Sequence, residues 1–163
     1  MIIISDTSPI INLSIIGQLD LIPQLYKQIV IPKAVFDEIV TNGEGLPGSF
    51  EIKNAQWVSV EICQNKSLLS KLLNELDQGE AEAIVLALEL KADRILIDEI
   101  NGREVATRLH LQTLGLLGIL LEAKSNHLIP SVKPLMDALR TKARFFIHQS
   151  LYNQVLVIAK EEP

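Results

Sequence analysis

Short apolar runs alternate with stretches of helical spacing along the chain, from the N-terminus to about residue 123. Runs rich in β-branched residues predict strands, whereas apolar residues three and four positions apart predict helices. The predicted strands lie at residues 2–4, 28–32, 57–62, 94–98 and 112–115. Because a predicted helix follows each strand, the pattern indicates an α/β fold with a mostly parallel sheet and helices on both faces.

The predicted helices differ in how clearly they begin and end. The first runs from about residue 7 to Pro23 with a break at Gly17, and the second occupies residues 33–40 after a strand that ends in proline. Residues 42–48 are rich in glycine but lack the Gly-Lys-Ser/Thr of a phosphate-binding loop, so they are interpreted as a surface loop. From about residue 130 onward the pattern is purely helical.

Composition and length limit the class of protein. With 163 residues, of which 48% are hydrophobic, the chain is expected to form one domain over residues 1–163 with a helical C-terminal portion. Cys63 is the only cysteine, which excludes an internal disulfide and a zinc site of clustered thiolates. No apolar stretch approaches the roughly 20 residues that span a bilayer. We therefore expect a cytoplasmic protein without membrane contact.

The net charge of the chain excludes fewer functions than its length and composition do. A formal net charge of −5 argues against nucleic-acid binding through a broad basic surface. It is compatible with a nuclease whose carboxylates recruit divalent cations, because the metal then supplies the positive charge.

Four carboxylates stand where a strand ends or a helix begins: Asp6, Glu38, Glu80 and Asp98. Carboxyl ends of parallel strands border the ligand crevice of an open α/β sheet, so Asp6 and Asp98 would lie close together if their strands are neighbours. Clustered carboxylates repel one another unless a cation binds, and an all-oxygen set favours Mg²⁺ or Mn²⁺. The pattern predicts metal-dependent phosphodiester chemistry.

Two of these acids, Asp6 and Glu80, also have a purely structural interpretation. Asp6 is a favoured helix-capping residue, and Asp77 and Glu80 have the spacing of a capping box. On a helical wheel with Val35 and Ile39 as the buried stripe, Glu38 lies on the flank, where it could reach a cleft. If Phe36 and Val40 also belong to that stripe, Asp37 and Glu38 are about equally far from its centre, and geometry does not choose between them. Glu82 and Glu99 are expected to be solvated.

The acidic motifs, in their order along the chain, resemble those of the PIN domain, and more closely those of prokaryotic PIN-like proteins related to the toxins of toxin–antitoxin pairs. The resemblance extends through nearly the whole chain. It rests on Asp6-Thr7-Ser8-Pro9, on residues 32–39, on residues 76–84, on residues 96–103, and on the Leu-Gly and Ala-Lys stretch of residues 114–124.

The resemblance implies a three-layer α/β/α sandwich with strand order 3-2-1-4-5. It implies cleavage of single-stranded RNA with Mg²⁺ or Mn²⁺, with Asp6, Glu38, Glu80 and Asp98 as both the catalytic and the metal-binding quartet. It also favours Glu38 over Asp37, and implies a homodimer and an antitoxin partner. Many family members carry Asp at the third acidic position, which leaves Asp77 as an alternative to Glu80.

Other side chains are weaker candidates. Thr7 or Ser8 could hold the rotamer of Asp6, Asn12 could lie near the cleft, and Arg103 could contact a phosphate, although capping, packing or a surface ion pair would explain them as well. A basic stretch is either an RNA-steering surface or a solvated helix face, and it comprises Lys133, Arg140, Lys142 and Arg144.

Two other functions compete with the nuclease. A PIN-like binding module would act through dimer or antitoxin contacts without turnover. A receiver-type phosphotransfer domain fits poorly, because its acceptor aspartate follows the third strand, where this chain has Glu61-Ile62-Cys63.

Overall fold

The computed structural model of the protein describes residues 1–162. All five predicted strands are present in one sheet, with every neighbouring pair parallel and in the order 3-2-1-4-5. The strands are β1 (Ile3–Ser5), β2 (Ile29–Pro32), β3 (Val58–Glu61), β4 (Arg94–Leu96) and β5 (Thr113–Leu114). The predicted fold class and strand order are confirmed.

Ten α-helices lie on the two faces of this sheet within the described residues. They are α1 (Thr7–Ile15), α2 (Leu21–Tyr26), α3 (Lys33–Phe36), α4 (Ser49–Asn54), α5 (Lys66–Leu72), α6 (Gln78–Glu89), α7 (Ile100–Arg108), α8 (Leu116–Ser125), α9 (Lys133–Thr141) and α10 (Gln149–Ile158). A π-helical turn, Asp37–Thr41, follows α3 directly. Within residues 1–162, none of the helices combines the length and apolar character needed to cross a bilayer.

Alternation along the strands divides the interior into two apolar layers. Ile3 faces a core formed with α1, α2 and α8 to α10, whereas its neighbour Ile4 faces a second core formed with α5, α6 and α7. Successive side chains of a strand point to opposite faces, so each central strand must be apolar on both. This is why the strands consist of continuous rather than alternating apolar runs.

Two helical predictions differ from the structure in detail. The first helix ends before Gly17, which has a φ of +72°, and α2 then continues past Pro23 to Tyr26. Pro23 is the third residue of α2, where a backbone N–H has no partner within the helix and its loss costs little. Residues 33–40, predicted as one α-helix, instead change from α to π at Asp37.

Helix α4 was not predicted. Only Ser49 and Ile52 of its six residues are buried, so no apolar stripe marks it.

Candidate active site

Asp6 lies at the centre of the sheet edge where the strands end. It follows β1 directly, and its amide donates to the carbonyl of Leu96 in β4, a hydrogen bond of 2.9 Å that holds the two strand ends together. Its side chain makes no capping hydrogen bond to α1, although Asp6 occupies the N-cap position. Asp6 is only 4% exposed. The capping interpretation therefore does not account for this buried carboxylate.

The environment of Asp6 disfavours its ionised form. Burial is the main cause that raises its pKa to about 7, and the nearby carboxylates of Glu80, Asp77 and Glu38 raise it further, while the amide of Thr7 acts in the opposite direction. A buried acid surrounded by other acids lacks the counter-charge that a structural carboxylate normally has. Such a site is suited to bind a cation.

Glu38 reaches this region from the π-helical turn. Its Oε1 atom lies 2.6 Å, and Asp6 Oδ1 lies 3.4 Å, from the position that a Cβ atom on Gly79 would occupy. The two carboxylates therefore approach one another across Gly79. Loss of solvent raises the pKa of Glu38, as does the charge of Asp77. The neighbouring Asp37 instead pairs with Lys33 at 2.6 Å on the surface, so the structure places Glu38, rather than Asp37, beside Asp6.

Glu80 and Asp77 form the predicted capping box at the start of α6. Asp77 Oδ1 accepts the Glu80 amide at 2.8 Å, and Glu80 Oε1 accepts the Asp77 amide at 3.2 Å. Glu80 is 6% exposed, and burial is the main cause of its raised pKa, with the charges of Asp77 and Glu99 adding to it. Glu80 thus combines a capping role with a place beside Asp6.

Asp98 follows β4, the strand beside β1, and is separated from its last residue, Leu96, by Ile97. Its hydrogen bond is with α8. Its Oδ1 atom accepts the Leu116 amide at 2.8 Å, at the N-terminus of that helix. Burial is the main cause that raises its pKa to about 6, while the Leu116 amide and Arg103 lower it and Glu99 raises it. Its Oδ2 atom is buried without a hydrogen-bond partner among residues 1–162. One oxygen of Asp98 is therefore free for another ligand.

The donor chemistry fits a hard divalent cation, although the arrangement is not preassembled. All four predicted side chains offer oxygen only, which suits Mg²⁺ or Mn²⁺. In the part of the chain that the structure describes, however, no three His, Cys, Asp or Glu side chains are already grouped to hold a metal ion. The physical reason lies in two of the acids, because Glu80 is turned back toward the Asp77 amide and Asp98 toward Leu116.

Two acids outside the predicted quartet belong to the same region. Asp77 and Glu99 line both an acidic cleft of about 270 Å³ that contains Asp6 and Glu38, and an adjoining one of about 250 Å³ that contains Glu80. Glu99 is solvent-exposed, as expected, yet its charge acts on both Glu80 and Asp98. Its position at the N-cap of α7, directly after Asp98, is the signal that could have identified it.

Glu82 supports the site from outside. It is half-buried rather than fully solvated, and its Oε1 atom accepts the Ala34 amide at 3.1 Å. This hydrogen bond ties α6 to α3, the helix that continues into the turn carrying Glu38. Sequence reasoning did not identify this contact, because the two residues are far apart in the chain.

The hydroxyl and amide candidates also line the acidic cleft. Thr7, Ser8 and Asn12 are part of its wall, and the Asn12 amide donates to Ser8 Oγ at 3.1 Å. Thr7 Oγ1 is buried and lies near enough to Glu38 to lower its pKa, but no hydrogen bond of good geometry joins it to any of residues 1–162. A buried hydroxyl without a partner is rare, and this one belongs to the wall of the acidic cleft.

The predicted basic stretch is partly structural. Arg140 donates to the carbonyl of Ile147 at 2.7 Å and stacks over the ring of Tyr152 at 4.2 Å. Lys142 and Arg144 are exposed. The role of the stretch in RNA binding stays a prediction.

Comparison with known proteins agrees with this geometry. A family model described as a PIN domain matches residues 2–161, which is nearly the whole chain. No curated protein matches the chain significantly.

Proposed function

Because the chain belongs to the PIN domain family, whose members are generally nucleases that use divalent metal ions, we propose that it is a metal-dependent endoribonuclease that cleaves single-stranded RNA. The observation that carries the proposal is the Asp6 cleft. There a carboxylate that is 4% exposed has other carboxylates as its charged neighbours and a pKa raised to about 7.

The proposed metal ligands are Asp6, Glu38, Glu80 and Asp98. Asp6 and Glu38 already share one wall of the cleft, and Asp98 has one buried oxygen without a hydrogen-bond partner among the described residues. Asp77 remains an alternative to Glu80, since both lie beside Asp6. When bound, Mg²⁺ or Mn²⁺ would supply an activated water and offset the charge that develops on the phosphate.

The protein side chains have separate tasks in this proposal. Asp6 and Glu38 attract the cation and, because they are acidic, exclude RNA phosphates until it is bound. Glu82 holds α3, and with it the turn that carries Glu38, against α6. The Thr7 hydroxyl lies near Glu38 and lowers the pKa of its carboxylate. Glu80 and Asp98 each accept a backbone amide with one carboxylate oxygen, so the other oxygen of each is the one proposed to bind the cation.

The test is cleavage of a fluorescent single-stranded RNA after removal of metal with EDTA and return of Mg²⁺ or Mn²⁺. We expect cleavage by the wild type only with metal, and a loss of at least about 100-fold in Asp6→Asn, the size seen when a group that stabilises transition-state charge is removed. Asp20→Asn is the matched control, because Asp20 is exposed and lies outside the cleft. Equal rates for wild type and Asp6→Asn would contradict the proposal.

A binding module without turnover is the second candidate. The capping box favours it, because it gives Glu80 a structural role that needs no metal. In the same cleavage assay such a module would show no metal-dependent cleavage, although it would still bind RNA or a partner protein.

We further propose that the protein is the toxin of a toxin–antitoxin pair, that it forms a homodimer, and that it acts in the cytoplasm. The free, buried Cys63 is consistent with a reducing compartment. Exposed apolar residues on α10 offer a contact surface, with Leu151 44%, Val157 75% and Ile158 65% exposed. Sedimentation as a strict monomer at micromolar concentration would contradict the dimer. Growth arrest on expression, relieved by a co-expressed neighbouring gene product, would support the toxin role.

A further inference from the structure

Glycines abut the predicted acids at the N-terminal ends of three successive helices. Gly79 in the first turn of α6 abuts Glu38 and Asp6, Gly102 in the first turn of α7 abuts Glu80, and Gly115 before α8 abuts Asp98. In each case a Cβ atom on the glycine would lie 2.6 to 3.0 Å from a carboxylate oxygen. Because glycine has no side chain, each of the three positions leaves space for a carboxylate.

Gly79 is the clearest of the three because nothing else explains it. It is buried in the first turn of a regular helix and is not among the glycines with positive φ, so the backbone does not require glycine there. Glycine is a poorer helix former than alanine, so its presence in α6 reduces helix stability. The contacts of its hypothetical Cβ are Glu38 Oε1 at 2.6 Å, Asp6 Oδ1 at 3.4 Å and Glu38 Cδ at 3.6 Å.

These contacts predict an unusual response to substitution. A methyl group at residue 79 would overlap the carboxylate of Glu38 but only touch that of Asp6. Because the overlap involves the tip of a flexible side chain, Glu38 can turn away at little cost to the fold. A substitution here would therefore alter the site without disrupting the core.

We propose that Gly79 is a positioning residue. Because it has no side chain, the carboxylates of Glu38 and Asp6 can lie close together over the first turn of α6. The inference rests on the proposed function, because it assigns the paired carboxylates to the metal. It also makes a geometric statement that holds whether or not RNA is cleaved.

The experiment compares Gly79→Ala with wild type in Mn²⁺ titration calorimetry and in thermal unfolding. We expect Mn²⁺ affinity to fall about 10- to 100-fold, the range seen when the support of a metal ligand is lost, while the melting temperature stays equal or rises. A simple structural role for Gly79 would instead lower the melting temperature.

The matched control is Gly118→Ala in α8. There the new Cβ would also meet the tip of a flexible side chain, but that of the apolar Leu114. Mn²⁺ affinity should stay at the wild-type value in this variant. An equal loss of affinity in both glycine variants would overturn the assignment.

A double variant tests whether Gly79 acts through Glu38. Glu38→Asp shortens the side chain by one methylene and withdraws its carboxylate from residue 79. Adding Gly79→Ala to Glu38→Asp should then change Mn²⁺ affinity by much less than it does in the wild type. A full loss of affinity in this background would overturn the proposal, because the effect would not pass through Glu38.

Metal-free crystal structures separate this inference from the proposed function. In Gly79→Ala the Glu38 carboxylate should have left its place beside Asp6, and finding it unmoved would overturn the inference. If wild type bound no Mn²⁺ and cleaved no RNA, the proposed function would fail, and the position of Glu38 in these crystals would still decide the role of Gly79.

Discussion

Asp6 and Glu161 are both well-shielded carboxylates, yet their surroundings are opposite. Glu161 accepts hydrogen bonds from Lys124 Nζ at 2.8 Å and from the Val132 and Lys133 amides at 2.8 and 3.1 Å. Burial alone would raise its pKa, but these donors outweigh burial and lower it. Asp6 has carboxylates for neighbours, and its pKa rises to about 7. The ionised form of Glu161 therefore stabilises the fold, whereas the ionised form of Asp6 destabilises it.

We interpret this difference as one between a structural carboxylate, Glu161, and a carboxylate with a proposed function, Asp6. Glu161 joins the C-terminal segment to α8 and to the start of α9, so its charge is neutralised by the protein itself. The charged neighbours of Asp6 are carboxylates, so in our proposal a metal ion would neutralise its charge. Substitutions at the two residues should therefore have opposite consequences for stability and for function.

The largest expected effect is a loss of catalysis on substitution of Glu38, the carboxylate that lies beside Asp6. Glu38→Gln keeps the shape of the side chain but removes its charge, so metal-dependent RNA cleavage should fall by about 100-fold or more. The same RNA assay measures it, with Glu51→Gln as control because Glu51 is exposed on α4. Wild-type cleavage by Glu38→Gln would remove Glu38 from the metal site.

The next effect is on stability, at Glu161. Glu161→Ala removes one of the two acceptors of Lys124 and leaves two amides without theirs, which should cost about 1 to 3 kcal/mol of unfolding free energy. For a chain of this size each kcal/mol corresponds to roughly 2 to 4 °C in the melting temperature. Denaturant titration measures the free energy, and RNA cleavage per folded molecule should stay unchanged. If Glu161→Ala instead lost RNA cleavage and kept normal stability, Glu161 would be a functional carboxylate, and its contrast with Asp6 would be wrong.

The pH dependence of stability should also distinguish the two residues. The pKa of Asp6 is about 7 in the folded chain against an ordinary value of 3.8, so ionisation favours unfolding. The penalty is absent below about pH 4, grows up to about pH 7 and is constant above it. Asp6→Asn should therefore gain melting temperature relative to wild type across this window.

Glu161 should show the reverse. Its pKa is lowered from an ordinary value of 4.5, so its stabilising contribution is full above that pH and is lost as pH falls through the folded pKa. The difference in melting temperature between wild type and Glu161→Ala should shrink below about pH 4.5. Parallel melting curves for both variants from pH 3 to 9, on the order of one point per pH unit, test both signs.

The smallest effect is expected at the exposed ion pair beside the site. Lys33 and Asp37 pair at 2.6 Å with 59% and 32% of their side chains exposed. Asp37→Asn should leave the unfolding free energy nearly unchanged and should alter cleavage by less than about twofold, because exposed pairs contribute little. A large loss of cleavage would show that Asp37 rather than Glu38 is the acid of this turn.

The order of strands and helices could be read from local patterns. The runs at residues 2–4 and 94–98 and the helical spacing after each depend on near neighbours in the chain, which the sequence displays directly. The capping box of Asp77 and Glu80 is equally local and is present as its spacing predicts. The strand order came from the family resemblance, and the sheet confirms it.

The site depended on contacts that no local pattern records. The choice of Glu38 over Asp37 follows from a π-helical turn and from the closeness of Gly79, some forty residues further along the chain. The engagement of Asp98 with Leu116, and the place of Glu99 in the acidic clefts, likewise depend on how the helix N-termini meet the strand ends.

Which residues form strands and helices, and which acids stand at their ends, is a property of the printed sequence, because backbone preference and apolar spacing act over a few residues. Which of those acids face one another, and which are occupied by backbone amides, was decided only on folding. Charge repulsion, desolvation and steric room act between atoms that are near in space, and the sequence does not state which atoms those are.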